Sequence, residues 1–65
     1  MDFYDTGKII ADLRKEKGWT QKQLAAKLCV TDKAISRWEN GYGLPEVTLL
    51  PKIAAVFSVT CDELL

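Results

Sequence analysis

The chain has no histidine, only two cysteines and two prolines, and no net charge over its 65 residues. Each shortage removes a class of function. A nucleophilic cysteine needs a base, and imidazole is absent, so enzyme chemistry has almost no material here. Cys29 and Cys61 stand 32 positions apart without Cys-x-x-Cys spacing, which argues against a zinc site and for two reduced thiols. No cofactor is implied. No apolar run approaches the ~18 residues of a membrane span, and no basic leader followed by an apolar stretch marks a secretion signal. What is present is an apolar fraction of 48%, enough for the modest core of one domain over 1–65. A domain this small buries only ~60% of the surface its unfolded chain exposes.

The neutral total hides an uneven distribution. Between Arg14 and Arg37 lie seven basic residues and two acidic ones, a local balance of +5. From Gly41 to Leu65 one lysine stands against three acidic residues, a balance of −2. Such sign asymmetry fits a nucleic-acid partner better than the zero sum suggests, although a merely solvated helical surface is the simpler alternative.

Apolar residues recur at helical spacing throughout, and no strand-like alternation persists. The pattern predicts five short helices. The first runs from about Thr6 to Lys17, capped by Asp5 or Thr6 and closed at Gly18. The second covers Gln21 to Leu28 behind Thr20. The third covers Asp32 to Asn40 behind Thr31, whose hydroxyl can satisfy an orphaned backbone N–H at a gain of roughly 1 kcal/mol. "GYGLPEV" is a loop. Pro51 is tolerable only in a first turn, so the fourth helix should begin near Thr48 or Leu49 and reach Phe57. "CDELL", capped by Thr60, forms the fifth, with Asp62 and Glu63 at its positive end.

The third helix separates two sets of side chains. At about 100° per residue, Ala34, Ile35 and Trp38 share one arc and turn to the core. Asp32, Lys33, Ser36, Arg37 and Asn40 share the other and face outward. One carboxylate, one hydroxyl, one amide and two cations on two and a half turns make a mixture suited to base edges: cations to guanine, a carboxylate to a cytosine amino group. The connection Cys29–Thr31 is so short that the second and third helices must cross steeply, and Ala25 lets them approach. This is helix-turn-helix geometry, in which the second helix of the pair enters the major groove.

"GWTQKQLAAKL", "VTDKAISRWENG" and "LLPKIAAVFSVTCDELL", in this order, resemble the phage Cro and repressor-type (Xre) family of helix-turn-helix DNA-binding domains. The resemblance runs from about Thr6 to Leu65. It implies a compact five-helix bundle, of prokaryotic or phage origin and cytoplasmic, that dimerises on double-stranded operator DNA of two-fold symmetry. It further implies phosphate contacts at Gln21 and Asn40, base contacts at Asp32, Lys33 and Arg37 with Ser36 as an additional candidate, and an internal ion pair of Arg14 with Glu39. Three positions depart from the family pattern. Cys29 and Ser58 each replace a usual glycine, at a cost of order 1 kcal/mol if left-handed. Asp32 repels phosphates unless it meets a base donor.

Other residues admit two readings. Trp19 and Trp38 have core spacing, with base stacking the alternative. Tyr42 is either a further phosphate contact or simply exposed. Phe3 and Tyr4 are expected to cover the core rather than to form a DNA-reading arm. The final leucines lack a polar tail, which suggests a module cut from or followed by a longer polypeptide, forming at most a weak dimer before it meets DNA. The rival to a DNA-binding regulator is a helix-turn-helix protein-interaction module, such as an antitoxin or adaptor.

Overall fold

The computed structural model describes residues 3–60 and 64, with side chains from Thr6 onward. Among these residues are four α-helices: α1 (Phe3–Glu16), α2 (Gln21–Leu28), α3 (Asp32–Glu39) and α4 (Leu50–Phe57). A 3-10 turn over Val47–Leu49 precedes α4, and no strand occurs among the described residues. Among the described residues the architecture is all-α, with four of the five expected helices. Of the expected fifth, 61–65, only Leu64 falls within the described residues, and it is helical and fully buried. The expected cover from Phe3 and Tyr4, the state of Cys61 and the packing of Leu65 lie outside the described side chains, whereas Asp5 falls inside α1 rather than at its cap.

Several boundaries differ from expectation for physical reasons. Helix α1 begins a turn earlier than Thr6, and Thr6 is a buried residue inside it rather than its cap. Lys17 and Asn40 lie just past their helices, in the turns that close them. Helix α4 starts at Leu50 because the preceding three residues wind more tightly, and Pro51 sits within its first turn, where a missing N–H costs nothing.

All four α-helices close with the same pair of backbone hydrogen bonds. After α1, Trp19 N–H donates to the Arg14 carbonyl (3.1 Å) and Gly18 N–H to that of Lys15 (3.0 Å). After α2, Val30 donates to Ala25 (3.0 Å) and Cys29 to Ala26 (3.3 Å). After α3, Tyr42 donates to Arg37 (2.9 Å) and Gly41 to Trp38 (3.1 Å). After α4, Val59 donates to Ala54 (2.9 Å) and Ser58 to Ala55 (3.2 Å). This is the Schellman closure, which places the residue after the helix in the left-handed region. Gly18 and Gly41 reach it at φ 75° and 78° without steric penalty. Cys29 and Ser58 reach it at φ 58° with a Cβ attached, at about 1–2 kcal/mol each.

The closures aim the apolar faces at one core. Ile10 of α1, Leu24 and Leu28 of α2, Ile35 of α3, Ile53 of α4 and Leu64 are fully buried. Each such aliphatic side chain contributes about 1.5–3 kcal/mol on leaving water. Helices α1 and α2 both pack on α3, and α4 packs on α2. Trp38 is buried against this core, while Trp19 packs at its edge, stacked on Phe57 with ring centroids 5.8 Å apart. The result is a body of 26 × 23 × 22 Å with α3 held from behind by two helices.

Candidate nucleic-acid interface

Helix α3 is set by its two ends. Thr31 is extended, and its hydroxyl accepts the Ala34 N–H at 3.2 Å, fixing where the helix begins. The left-handed Cys29 two residues earlier turns the chain sharply out of α2. Helix α2 is itself started by a reciprocal cap. Gln23 N–H donates to Thr20 Oγ1 (3.1 Å), and Thr20 N–H donates back to Gln23 Oε1 (2.8 Å). Sequence reasoning recognised Thr20 but passed over Gln23, although the Thr-x-x-Gln spacing carries the signal.

The two arcs of α3 face as the helical spacing requires: Ile35 and Trp38 inward, Lys33, Arg37 and Asn40 exposed, Asp32 and Ser36 half-buried. Three of the outward side chains, Ser36, Arg37 and Asn40, are already engaged in hydrogen bonds. Arg37 Nη2 donates to the carbonyl of Tyr42 at 3.4 Å, so the guanidinium leans toward the loop after α3. Asn40 Nδ2 donates to the Ser36 carbonyl (2.8 Å) and to Ser36 Oγ (3.3 Å). Its amide is thereby turned back along the helix, and donating to a phosphate would require the side chain to rotate away. Tyr42 is 74% exposed, followed by the exposed apolar residues Leu44 and Val47.

A second cluster joins three helices. Arg14 at the end of α1 donates through Nε to Glu39 Oε2 (2.7 Å) and through Nη2 to Glu39 Oε1 (3.1 Å). Its Nη1 donates to the Trp19 carbonyl (2.7 Å). Gln21, the first residue of α2, donates through Nε2 to the same Glu39 Oε1 at 3.0 Å. The ion-paired side chains are only 12% and 8% exposed. Donating hydrogen bonds to Glu39 holds the Arg14 guanidinium above its ordinary pKa, with partial burial opposing the effect and the carboxylate's charge adding to it. Gln21 thus sits at the end of α3 opposite Asp32, beside Glu39 rather than Ser36.

Two lysines of the basic stretch and its surroundings serve the fold. Lys27 Nζ lies 4.6 Å from the centroid of the Trp19 ring, a cation–π contact. Lys52 Nζ reaches the Leu28 carbonyl at 3.5 Å, a cation at the negative end of α2. Neither role was legible from spacing. Trp19, with Phe57 and Lys27 on its ring, is occupied as a structural residue. Among the described residues no group of His, Cys, Asp and Glu is arranged to hold a metal ion, and no helix is long and apolar enough to cross a membrane.

This geometry has relatives. A helix-turn-helix family model matches residues 10–64. The HTH-type transcriptional activator BcrR of Enterococcus faecalis is 50% identical over 56 residues, covering 86% of this chain and 28% of that protein. The HTH-type transcriptional regulator AnsR of Bacillus subtilis (strain 168) is 36% identical over 56 residues, covering 86% of this chain and 48% of that protein. The chain therefore spans less than half the length of these two relatives. In fold it superimposes on the restriction-modification controller protein C.AhdI from Aeromonas hydrophila with a TM-score of 0.87, at 22% identity, over 97% of this chain and 96% of the other. With the family model covering most of its length and the turn between α2 and α3 built as described, the chain belongs to the Xre-type helix-turn-helix family.

Proposed function

We propose that this chain is the DNA-binding module of a transcriptional regulator, with α3 entering the major groove of double-stranded DNA. The observation that carries the reading is α3 itself: a helix pinned by α1 and α2 on its apolar side that turns two cations, a carboxylate, a hydroxyl and an amide outward. The relatives named as transcriptional regulators support the same reading.

In this reading Lys33 and Arg37 donate to guanine edges, Asp32 accepts from a base amino group, and Ser36 adds a contact that accepts or donates. Gln21, Asn40 and Tyr42 hold phosphates, which fix register without reading sequence. Two recognition helices spaced about 34 Å apart, one turn of DNA, would read a two-fold symmetric operator. The chain would be a monomer or weak dimer in solution and pair on DNA, and exposed Leu44 and Val47 are candidates for the contact between subunits.

Titration of mixed-sequence duplex at several salt concentrations tests the core of this reading. Phosphate contacts make log affinity fall linearly with log salt, at about 0.9 per neutralised phosphate. The same exposed apolar pair and the neutral total charge favour a second reading, a protein-interaction module such as an antitoxin or adaptor. Absence of salt-dependent duplex binding would leave that second reading standing and reject the first.

A further inference from the structure

The geometry points to Glu39 as a positioning residue for the phosphate contact at Gln21, a role that goes beyond its ion pair with Arg14 and rests on the DNA-binding reading above. A bidentate arginine fills only about two of a carboxylate's four acceptor sites, and Glu39 Oε1 uses a further one, accepting from both Arg14 Nη2 (3.1 Å) and Gln21 Nε2 (3.0 Å). An amide nitrogen carries two hydrogens fixed in one plane. With one committed to Glu39, the direction of the other is set by covalent geometry. Gln21 is half-buried and opens α2, so this second hydrogen belongs to a donor held still at the positive end of a helix.

A free glutamine side chain loses rotamer freedom when a contact freezes it. Here that freedom is already surrendered in the absence of DNA. Glu39 itself is locked by the bidentate grip of Arg14, whose remaining Nη1 is tied to the Trp19 carbonyl (2.7 Å), the residue that closes α1. Three helix ends thus converge on one carboxylate. The order is Arg14 fixing Glu39, and Glu39 fixing Gln21. Glu39 is the last residue of α3, so the same carboxylate ties the phosphate-holding end of α2 to the helix proposed to read bases.

The test compares Glu39→Met, which removes the acceptor, with Glu39→Gln, which keeps a carbonyl for Gln21, each alone and combined with Gln21→Ala. Affinity for a short mixed-sequence duplex is read at low salt, at a temperature where circular dichroism shows every variant folded. Glu39→Met should weaken binding roughly three- to tenfold, the range of one hydrogen bond. Glu39→Gln should recover most of that loss, and the difference between the two should vanish when Gln21 is alanine. An equal difference in the Gln21→Ala background would overturn the positioning role, because Glu39 would then act independently of Gln21. If Glu39→Met does not fold, the unaltered chain answers by NMR. The Gln21 side-chain amide protons should be slow to exchange without DNA and shift when duplex is added; resonances averaged like those of a free glutamine overturn the proposal. Failure of the unaltered chain to bind duplex at all would instead sink the DNA-binding reading.

Discussion

The Cα of Gly7, on α1, lies directly against the backbone carbonyl of Trp38, on α3, so that a Cβ at position 7 would overlap the carbonyl oxygen. A glycine inside a helix normally costs about 1 kcal/mol relative to alanine. Here it lets two helix backbones approach closely and brings Arg14 and Glu39 within reach of each other. Gly7→Ala should therefore destabilise the domain by roughly 1–3 kcal/mol despite its better helix propensity, as overpacking does. Thermal unfolding checks this, at about 4–8 °C per kcal/mol for a domain of this size. A higher melting temperature would mean that α1 can move off α3 at little cost.

Removing either partner of the Arg14–Glu39 pair strands a charge that is mostly out of water. Each single replacement should cost about 3–5 kcal/mol, and the double replacement less than the two together. Additive losses in urea unfolding would show that the two side chains do not interact. The arginine's folded pKa is raised, so its contribution is fully present below the unfolded value and is lost only as pH rises through the folded one. On its account stability should stay flat through the neutral and mildly alkaline range.

Cys29 holds a left-handed backbone with a side chain that glycine would not carry. Cys29→Gly should raise stability by roughly 0.5–1 kcal/mol, the steric relief less the extra freedom of the unfolded chain. Duplex affinity should be unchanged. A lower melting temperature would show that the exposed thiol packs usefully.

The reciprocal Thr20–Gln23 cap predicts that Thr20→Ala costs about 1 kcal/mol and Thr20→Ser much less. Both changes leave the outward face of α3 untouched, so chemical denaturation should register the loss while base preference stays the same.

Arg37→Ala should cost roughly 1–3 kcal/mol on a preferred site selected from random DNA and relax the choice of base at one position. Equal losses on all sequences would move Arg37 from reading bases to holding phosphates. Its lean toward the Tyr42 carbonyl makes Tyr42→Ala a useful control, because only the side chain changes and the carbonyl remains.

How far the sequence went depended on the reach of each interaction. Apolar spacing separated Ile35 and Trp38 from Arg37 and Lys33, and local residues such as Thr31 and Gly41 set the ends of α3 within one position. These are effects of neighbours along the chain. The Arg14–Glu39 contact joins residues 25 positions apart, and only likeness to a known family suggested it. The hold of Glu39 on Gln21, the cation of Lys27 on Trp19 and the approach of Gly7 to Trp38 depend on tertiary placement that no local pattern encodes. Thr6 illustrates the reverse error: a good capping residue by type lies buried inside its helix because the chain had already begun to coil at Phe3.

The four matching helix closures start from unequal disorder. In the denatured chain Gly18 and Gly41 roam both halves of φ space, whereas Cys29 and Ser58 are largely confined to one. Their penalties accordingly have different thermodynamic character. At the glycines the cost is entropy lost on folding, which weighs more as temperature rises. At Cys29 and Ser58 it is steric energy in the native backbone, nearly independent of temperature. A chain with glycine at both 29 and 58 should therefore gain most when cool, and its advantage over the present sequence should narrow toward the melting temperature.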